Sequence, residues 1–290
     1  MAVLVCKNVC KSYKDKEVLK DINLTIEQGK IYGLIGRNGV GKTTLLSILT
    51  AQNSASSGEV TLDGEKVWEN RKALDHICFS REINTVTALG PNNYKIKEYF
   101  KIAKTFYPNW DQQMAESLIK EFNLDLKKKI CKLSKGMLSM VTIVIGLASK
   151  ADITILDEPV AGLDVIARER FYKLIIEEQC NTNRTFIIST HIIDEASGIF
   201  EDTIILHDKK VLINEDTQEL LERAVYITGL AEDVDKITDG VKVLSAENIG
   251  KSKAVTVLLE KGQELENSSM VVCQPVSLQN LFVAMCGKEE

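Results

Sequence analysis

The sequence is short of several things, and each shortage closes off a class of function. No apolar stretch approaches the roughly 18 to 20 residues that a membrane-spanning helix needs; the longest candidate, Met140 to Ala148, is about half that length. The chain is therefore not expected to cross a bilayer. Positive charge is not in surplus: Lys+Arg 36 against Asp+Glu 41 gives a net charge of −5, so no nucleic-acid partner is expected. The N-terminus, MAVLVCKNVCK, lacks the basic region and long apolar core of a secretory signal, and export of the chain is not expected. The seven cysteines (Cys6, Cys10, Cys78, Cys131, Cys180, Cys273 and Cys286) are odd in number and include no C-x-x-C pair. That pattern argues against a disulfide framework and a zinc site, and they read as buried thiols in a reducing cytosol. What is left is 290 residues, 44% hydrophobic and 27% charged, enough for one main domain and something smaller.

Against these absences one stretch stands out. Gly36 to Thr43 reads GRNGVGKT and fits the phosphate-loop pattern G-x-x-x-x-G-K-[ST] without a gap. Without a Cβ, Gly36, Gly39 and Gly41 let the backbone take positive φ and turn several N–H donors toward one phosphate. Lys42 supplies a charge that can reach the β- and γ-phosphates, and the Thr43 hydroxyl is a candidate Mg²⁺ ligand. The cradle is expected to comprise Gly36, Arg37, Asn38, Gly39, Val40, Gly41, Lys42, Thr43 and Thr44. A strand at Lys30 to Leu34 should precede it and a helix from Lys42 to Thr50 should follow, with its dipole facing the nucleotide.

Taken in order, Val3 to Ile26 predicts an antiparallel hairpin from two alternating runs, with Tyr13 at the end of its first strand. Strand character resumes at Val60 to Trp68. His76 to Ser80 predicts a short strand that delivers Arg81, Glu82 and Ile83 to a loop. From Lys95 to Ala148 the period turns helical, with Tyr99, Phe100 and Ile102 in one segment and Met114, Leu118 and Phe122 in the next. Ser134 is placed to cap the last of these helices. Ile153 to Leu156 predicts a buried strand that sets Asp157 and Glu158 at a sheet's C-terminal edge, where ligands sit in open α/β sheets. Asp164 to Glu178 predicts a helix, and Thr185 to Ser189 a buried strand with His191 just beyond it. This alternation implies a mainly parallel sheet.

The phosphate loop, LSKGM (133–137), ILDEP (155–159), AGLD (161–164) and STH (189–191) come in an order and spacing that resembles the nucleotide-binding subunits of ABC transporters. The resemblance covers Val3 to about Leu221. It implies an α/β P-loop NTPase core with an antiparallel β subdomain and a helical signature subdomain at about 91–150, together forming residues 1–223, and ATP and Mg²⁺ as cofactors. By resemblance, Asp157 holds Mg²⁺ through water, Glu158 is the general base, His191 contacts the γ-phosphate, and Tyr13 stacks on adenine. Asp164 belongs to a loop used between two subunits. Ser134 and Gly136 bind the γ-phosphate of the opposite subunit, so a homodimer or heterodimer with a second such ATPase is implied. The partner it powers is a separate polytopic membrane permease, which places the chain in the cytoplasm, peripheral at the inner face of the cell membrane.

Three positions depart from the family pattern. Lys135 and Met137 stand in the usual LSGGQ, and Glu82 stands where a glutamine normally contacts Mg²⁺ and signals to the membrane subunit. A carboxylate can still ligate the metal, but it adds charge and loses the amide donor. These features and an appended C-terminal region look most like the bacterial subgroup that exports drugs, antibiotics or lipid-related compounds. Residues 224–290, with runs VYITGL, VKVLS, AVTVLL and MVVCQ, a helix at Ala231 to Ile237 and another at Ser277 to Ala284, predict a small α+β domain. The competing reading is a soluble ABC ATPase acting on ribosomes or DNA. Such proteins usually carry two cassettes or a long inserted coiled coil, and this chain shows neither. A P-loop kinase or GTPase would need no signature segment or switch histidine.

Overall fold

The computed structural model describes residues 3–88, 90–265 and 270–287. The opening alternation of apolar and polar residues folds as expected: β1 (Leu4–Tyr13) and β2 (Lys16–Ile26) pair antiparallel, from Leu4 opposite Ile26 to Tyr13 opposite Lys16. Leu4, Cys6, Val9, Leu19, Ile22, Leu24 and Ile26 turn inward; the period of two is broken between Cys6 and Val9 and between Leu19 and Ile22, where the register shifts and Asn8 and Asp21 take positive φ. After β3 (Ile31–Ile35) and α1 (Lys42–Leu49) come β4 (Ser57–Leu62) and β5 (Glu65–Lys66), completing a sheet in the order β2-β1-β4-β5. The expected strand from Val60 to Trp68 is thus broken. Asp63 and Gly64 both take positive φ (51° and 85°), the backbone of a tight hairpin turn.

The second sheet holds the chemistry. Past α2 (Arg71–Leu74) come β6 (Ile77–Ser80), a small β7 (Val86–Thr87) and β8 (Gly90–Pro91) ribbon, α3 (Ile96–Phe106), α4 (Gln112–Glu121) and α5 (Lys135–Ala148). Then follow β9 (Ile153–Asp157), α6 (Val165–Thr182), β10 (Thr185–Thr190), α7 (Ile193–Ala196), β11 (Asp202–His207) and β12 (Lys210–Asp216). The six-stranded order is β12-β11-β3-β10-β9-β6. Within it β3, β10, β9 and β6 run parallel, with Ile35 opposite Thr190, Asp157 opposite Ser189, and Leu156 opposite Ser80. The C-terminal ends of four strands therefore finish on one edge. Among the helices, α3 buries Ile96, Phe100 and Ala103, a stripe at helical spacing, whereas Ile102 faces outward at 44% exposure. Ser134 caps α5 by accepting from the Met137 N–H.

The chain divides into two compact units, Met1–His191 with Ile204–Asn214, and Ile192–Thr203 with Glu215–Glu290. The division falls earlier than residue 224 because α7 packs on α10 (Leu278–Cys286) and α8 (Thr217–Glu222) on β13 (Ala224–Leu230). The second unit continues through α9 (Ala231–Ile237), β14 (Lys242–Ile249), β15 (Ser252–Leu258) and β16 (Val271–Pro275), which form an antiparallel sheet in the order β14-β15-β13-β16. Its core gathers Ile227, Val234, Val255, Val257 and Leu259. No helix among the described residues is long and apolar enough to cross a membrane. The cysteines are not uniformly buried as expected: Cys6, Cys78 and Cys286 are, but Cys180 and Cys273 are exposed. Burial pushes the Cys6 thiol up to about 12.

Candidate functional site

The loop between β3 and α1 is shaped by glycines for two different reasons. Gly39 and Gly41 take φ of 81° and 113°, and a Cβ on Gly41 would come within 2.9 Å of Leu19 Cδ2. Gly36 does not adopt positive φ as expected. It is glycine because a Cβ there would sit 2.7 Å from the Leu206 carbonyl oxygen and 2.8 Å from Val40 Cγ1. Val40 itself packs against the core. Gly41 ends the loop as the N-cap of α1 without a side-chain cap, and the first turn carries no acidic residue. Its free N–H groups and dipole are thus left for an anion.

Lys42 is buried, yet its ammonium is held: Nζ donates to the Gly36 carbonyl at 2.6 Å and to the Arg37 carbonyl at 3.3 Å. Burial lowers its pKa, and the nearby charges of Glu158 and Asp157 oppose that shift. The cavity beside it, about 250 Å³, is lined by Asn38, Gly39, Gly41, Lys42, Thr43 and Thr44 with Val18, Asp157 and Glu158. Across it the Thr43 hydroxyl donates to Asp157 Oδ2 at 2.7 Å, while Asp157 Oδ1 is buried with no hydrogen-bond partner among the described residues. An orphaned carboxylate oxygen beside a hydroxyl is the kind of all-oxygen donor set that suits a hard divalent cation, so Thr43 and Asp157 fit Mg²⁺.

Glu158 follows directly and is held in the left-handed region, φ 51°, a strained place for a residue with a Cβ. Its backbone N–H donates to the Ser189 carbonyl on β10 at 2.9 Å, which sets the carboxylate over the cavity. His191 Nδ1 lies 2.7 Å from Glu158 Oε2. A carboxylate can only accept, so the proton sits on Nδ1, and Nε2 can donate to a phosphate only if the ring carries both protons. Ser189 was silent in the sequence except as part of STH, and Val18 gave no signal at all.

The remaining expected residues lie elsewhere. Ser134, Gly136 and Asp164 are not among the side chains that line the cavity of their own chain. Gly136 is crowded by the AGLD loop, where its Cβ would meet the Gly162 carbonyl oxygen at 2.4 Å, and the Ser139 hydroxyl donates to Ala161 O at 2.7 Å. Signature helix and AGLD loop are thus packed directly against each other, with Asp164 capping α6 through Ala167 N–H. Glu82, two residues past the end of β6, is not among the residues that line the cavity beside Lys42 and lines another with Arg81 and Tyr99. Its carboxylate lies 3.9 Å from Lys135 Nζ, so two of the departures from the family pattern face each other. Tyr13 is 47% exposed, with Lys11 Nζ 5.0 Å from its ring centroid and its hydroxyl bonded to Asn53; it does not line the phosphate cavity.

One anchor of this assembly went unread in the sequence. Arg184, just before β10, is buried and donates to the Gly146, Leu147 and Ala151 carbonyls, to Thr154 Oγ1 at 2.6 Å and to Glu178 Oε1 at 2.8 Å. It ties the C-terminal end of α5 to β9, so the helix that begins at the signature is fixed to the strand that ends at Asp157.

The profile of the ABC transporter family matches residues 19–161. The ABC transporter ATP-binding protein YtrB of Bacillus subtilis (strain 168) is 27% identical over 289 residues, covering 97% of each chain. The putative ABC transporter ATP-binding protein AlbC of the same strain is 32% identical over 217 residues, 73% of this chain and 90% of AlbC. The bacitracin transport ATP-binding protein BcrA of Bacillus licheniformis is 28% identical over 215 residues, 72% of this chain and 68% of BcrA. In fold, a dimeric post-hydrolysis structure of the ATP-binding cassette MJ0796 bound to ADP and Pi superposes with a TM-score of 0.63 at 24% identity, over 74% of this chain and 98% of that one. With its phosphate loop, paired carboxylates and signature segment in place, this chain belongs to the ABC transporter family as an ATP-binding ATPase subunit.

Proposed function

We propose that the chain works as one of a pair of subunits that enclose two ATP molecules and power a separate membrane permease of the exporter type. The observation that carries the pairing is the position of Ser134: it tops α5 exposed, away from the cavity beside Lys42. A second copy presenting its own signature helix would supply the missing donors to the γ-phosphate. The adjacent exposed Val165 and Ile166, 70% and 81%, favour such a face-to-face partner. The outward direction of transport is supported by the bacitracin transport relative. The chain then sits at the inner face of the cell membrane through its permease, with residues 224–290 as an accessory domain.

Hydrolysis follows from the geometry. The Gly39 to Thr44 backbone and Lys42 hold the β- and γ-phosphates. Thr43 and Asp157 would hold Mg²⁺, which neutralises phosphate charge when bound. A water lies against Glu158, its oxygen bonds to the γ-phosphorus, the bond to the ADP oxygen breaks, and the water's proton passes to the Glu158 carboxylate. His191 fixes that carboxylate through Nδ1–H, and Tyr13 is the proposed platform for the base.

Mixing two dead variants tests the pairing. Ser134→Arg spares ATP binding to the isolated subunit and abolishes turnover; Lys42→Ala weakens nucleotide binding by about 10- to 100-fold, so at ATP concentrations well below its Kd that subunit's own site stays empty. In a mixed pair, nucleotide on the subunit with intact Lys42 meets the intact Ser134 of its partner, so activity reappears. A mixture that stays dead with mixed pairs demonstrably formed, alongside parent activity independent of concentration, would refute the reading.

A further inference from the structure

The second unit has two unlike faces. One is filled by Ile227, Val255 and Val257 beneath α9. On the other, strand register sets four polar side chains in a single row across the sheet: Ser245 on β14 opposite Thr256 on β15, Thr256 opposite Tyr226 on β13, and Tyr226 opposite Gln274 on β16. Because side chains alternate, Glu247 joins the same face, two residues along β14. A sheet face packed under a helix is normally apolar. This one is not.

Between that row and α10 lies a cavity of about 550 Å³, within the range of small-molecule sites, to which α10 contributes Asn280 and Val283. Thr256 is only 7% exposed, and neither its hydroxyl nor the side chains of Tyr226, Ser245, Glu247, Gln274 and Asn280 bond to any described residue. Polar groups that converge on one cavity and do not bond one another are the means by which such a site orients a small polar ligand. The chemistry of the wall says which. Among the described residues its one charged lining residue is Glu247, accompanied by hydroxyl and amide groups and by an aromatic ring able to sit against a cation.

We infer that this cavity is a binding site for a small organic amine, protonated on nitrogen and carrying further hydrogen-bonding groups. The ammonium pairs with Glu247 against the Tyr226 ring, and Thr256, Gln274 and Asn280 receive the polar remainder. The residues that line the site all belong to the second unit.

Calorimetric titration of the full chain without nucleotide tests this, using D-glucosamine and spermidine as amines and D-glucose as the uncharged match. At least one amine binds saturably, and D-glucose binds about tenfold or more weaker than D-glucosamine if D-glucosamine is that amine. Glu247→Gln weakens amine binding by about tenfold, the loss of one charge-assisted bond, and Thr256→Val by a smaller factor. Glu247 is exposed, so its variant folds and the comparison stands even if Thr256→Val does not. No saturable binding of either amine, binding unchanged in Glu247→Gln, or D-glucose held as well as D-glucosamine overturns the inference.

Discussion

Replacing Glu158 by glutamine separates holding ATP from hydrolysing it. The substitution keeps length, the left-handed backbone at φ 51° and the bond from residue 158 N–H to Ser189 O. The amide oxygen of glutamine can still accept from His191 Nδ1, which lies 2.7 Å from Oε2 in the parent. What disappears is the basic oxygen that takes the water's proton, and a positioned general base is worth about 10²–10⁴ in rate, or about 3 to 5 kcal/mol of barrier. Lys42, Thr43 and Asp157 are untouched, so ATP affinity measured by calorimetry stays within about threefold while single-turnover hydrolysis falls by that factor. Size-exclusion with ATP then shows a trapped pair. Glu158→Gly supplies the control. Relief of about 1 to 2 kcal/mol of backbone strain offsets the roughly 1 kcal/mol bond to His191, so stability is kept while turnover is lost. Hydrolysis by Glu158→Gln at the parent rate, or an equal collapse of ATP affinity, would refute the assignment of Glu158 as base.

Lys42→Ala removes an ammonium preorganised on the Gly36 and Arg37 carbonyls, and ATP affinity falls by about 10- to 100-fold in calorimetry; unchanged affinity would sink the cradle. Arg184→Met leaves Glu178, itself 5% exposed, with only the Lys150 ammonium at 2.7 Å, and costs about 3 to 5 kcal/mol in urea unfolding, whereas loss of a surface ion pair costs under about 1. The Lys135 and Glu82 side chains are 58% and 64% exposed, so a double-mutant cycle with Lys135→Gly and Glu82→Gln gives a coupling to stability below about 1 kcal/mol, and a larger value would mean the start of α5 and the loop after β6 are structurally locked. Thiol titration of the folded chain at mildly alkaline pH labels Cys180 and Cys273 first, while Cys6, whose buried thiol ionises only at about 12, stays unlabelled until unfolding.

The chain by itself determined whatever depends on local order. Gly36 to Thr43 carries its phosphate chemistry in the residue types, since close backbone approach and a reaching cation need glycine and lysine at fixed spacing. Periods of two and of 3.6 residues located the β1 and β2 hairpin, the buried strands, α5 with its Ser134 cap, and the strands and helices of the second unit. Local order could not say why Gly36 is glycine, because the obstructing carbonyl belongs to Leu206, far away in the chain. Nor could it place Ile102 outward or reveal Arg184 as the tie between α5 and β9, whereas the break at Asp63 and Gly64 is written locally, in an Asp-Gly pair suited to a tight turn. Three facts depended on strand register: Glu158 hanging from Ser189, Asp157 reaching Thr43, and a polar row from Ser245 to Gln274. Each joins residues brought together only when strands align side by side, and that register is set by which side chains each sheet buries against the rest of its unit, which no single stretch of sequence contains.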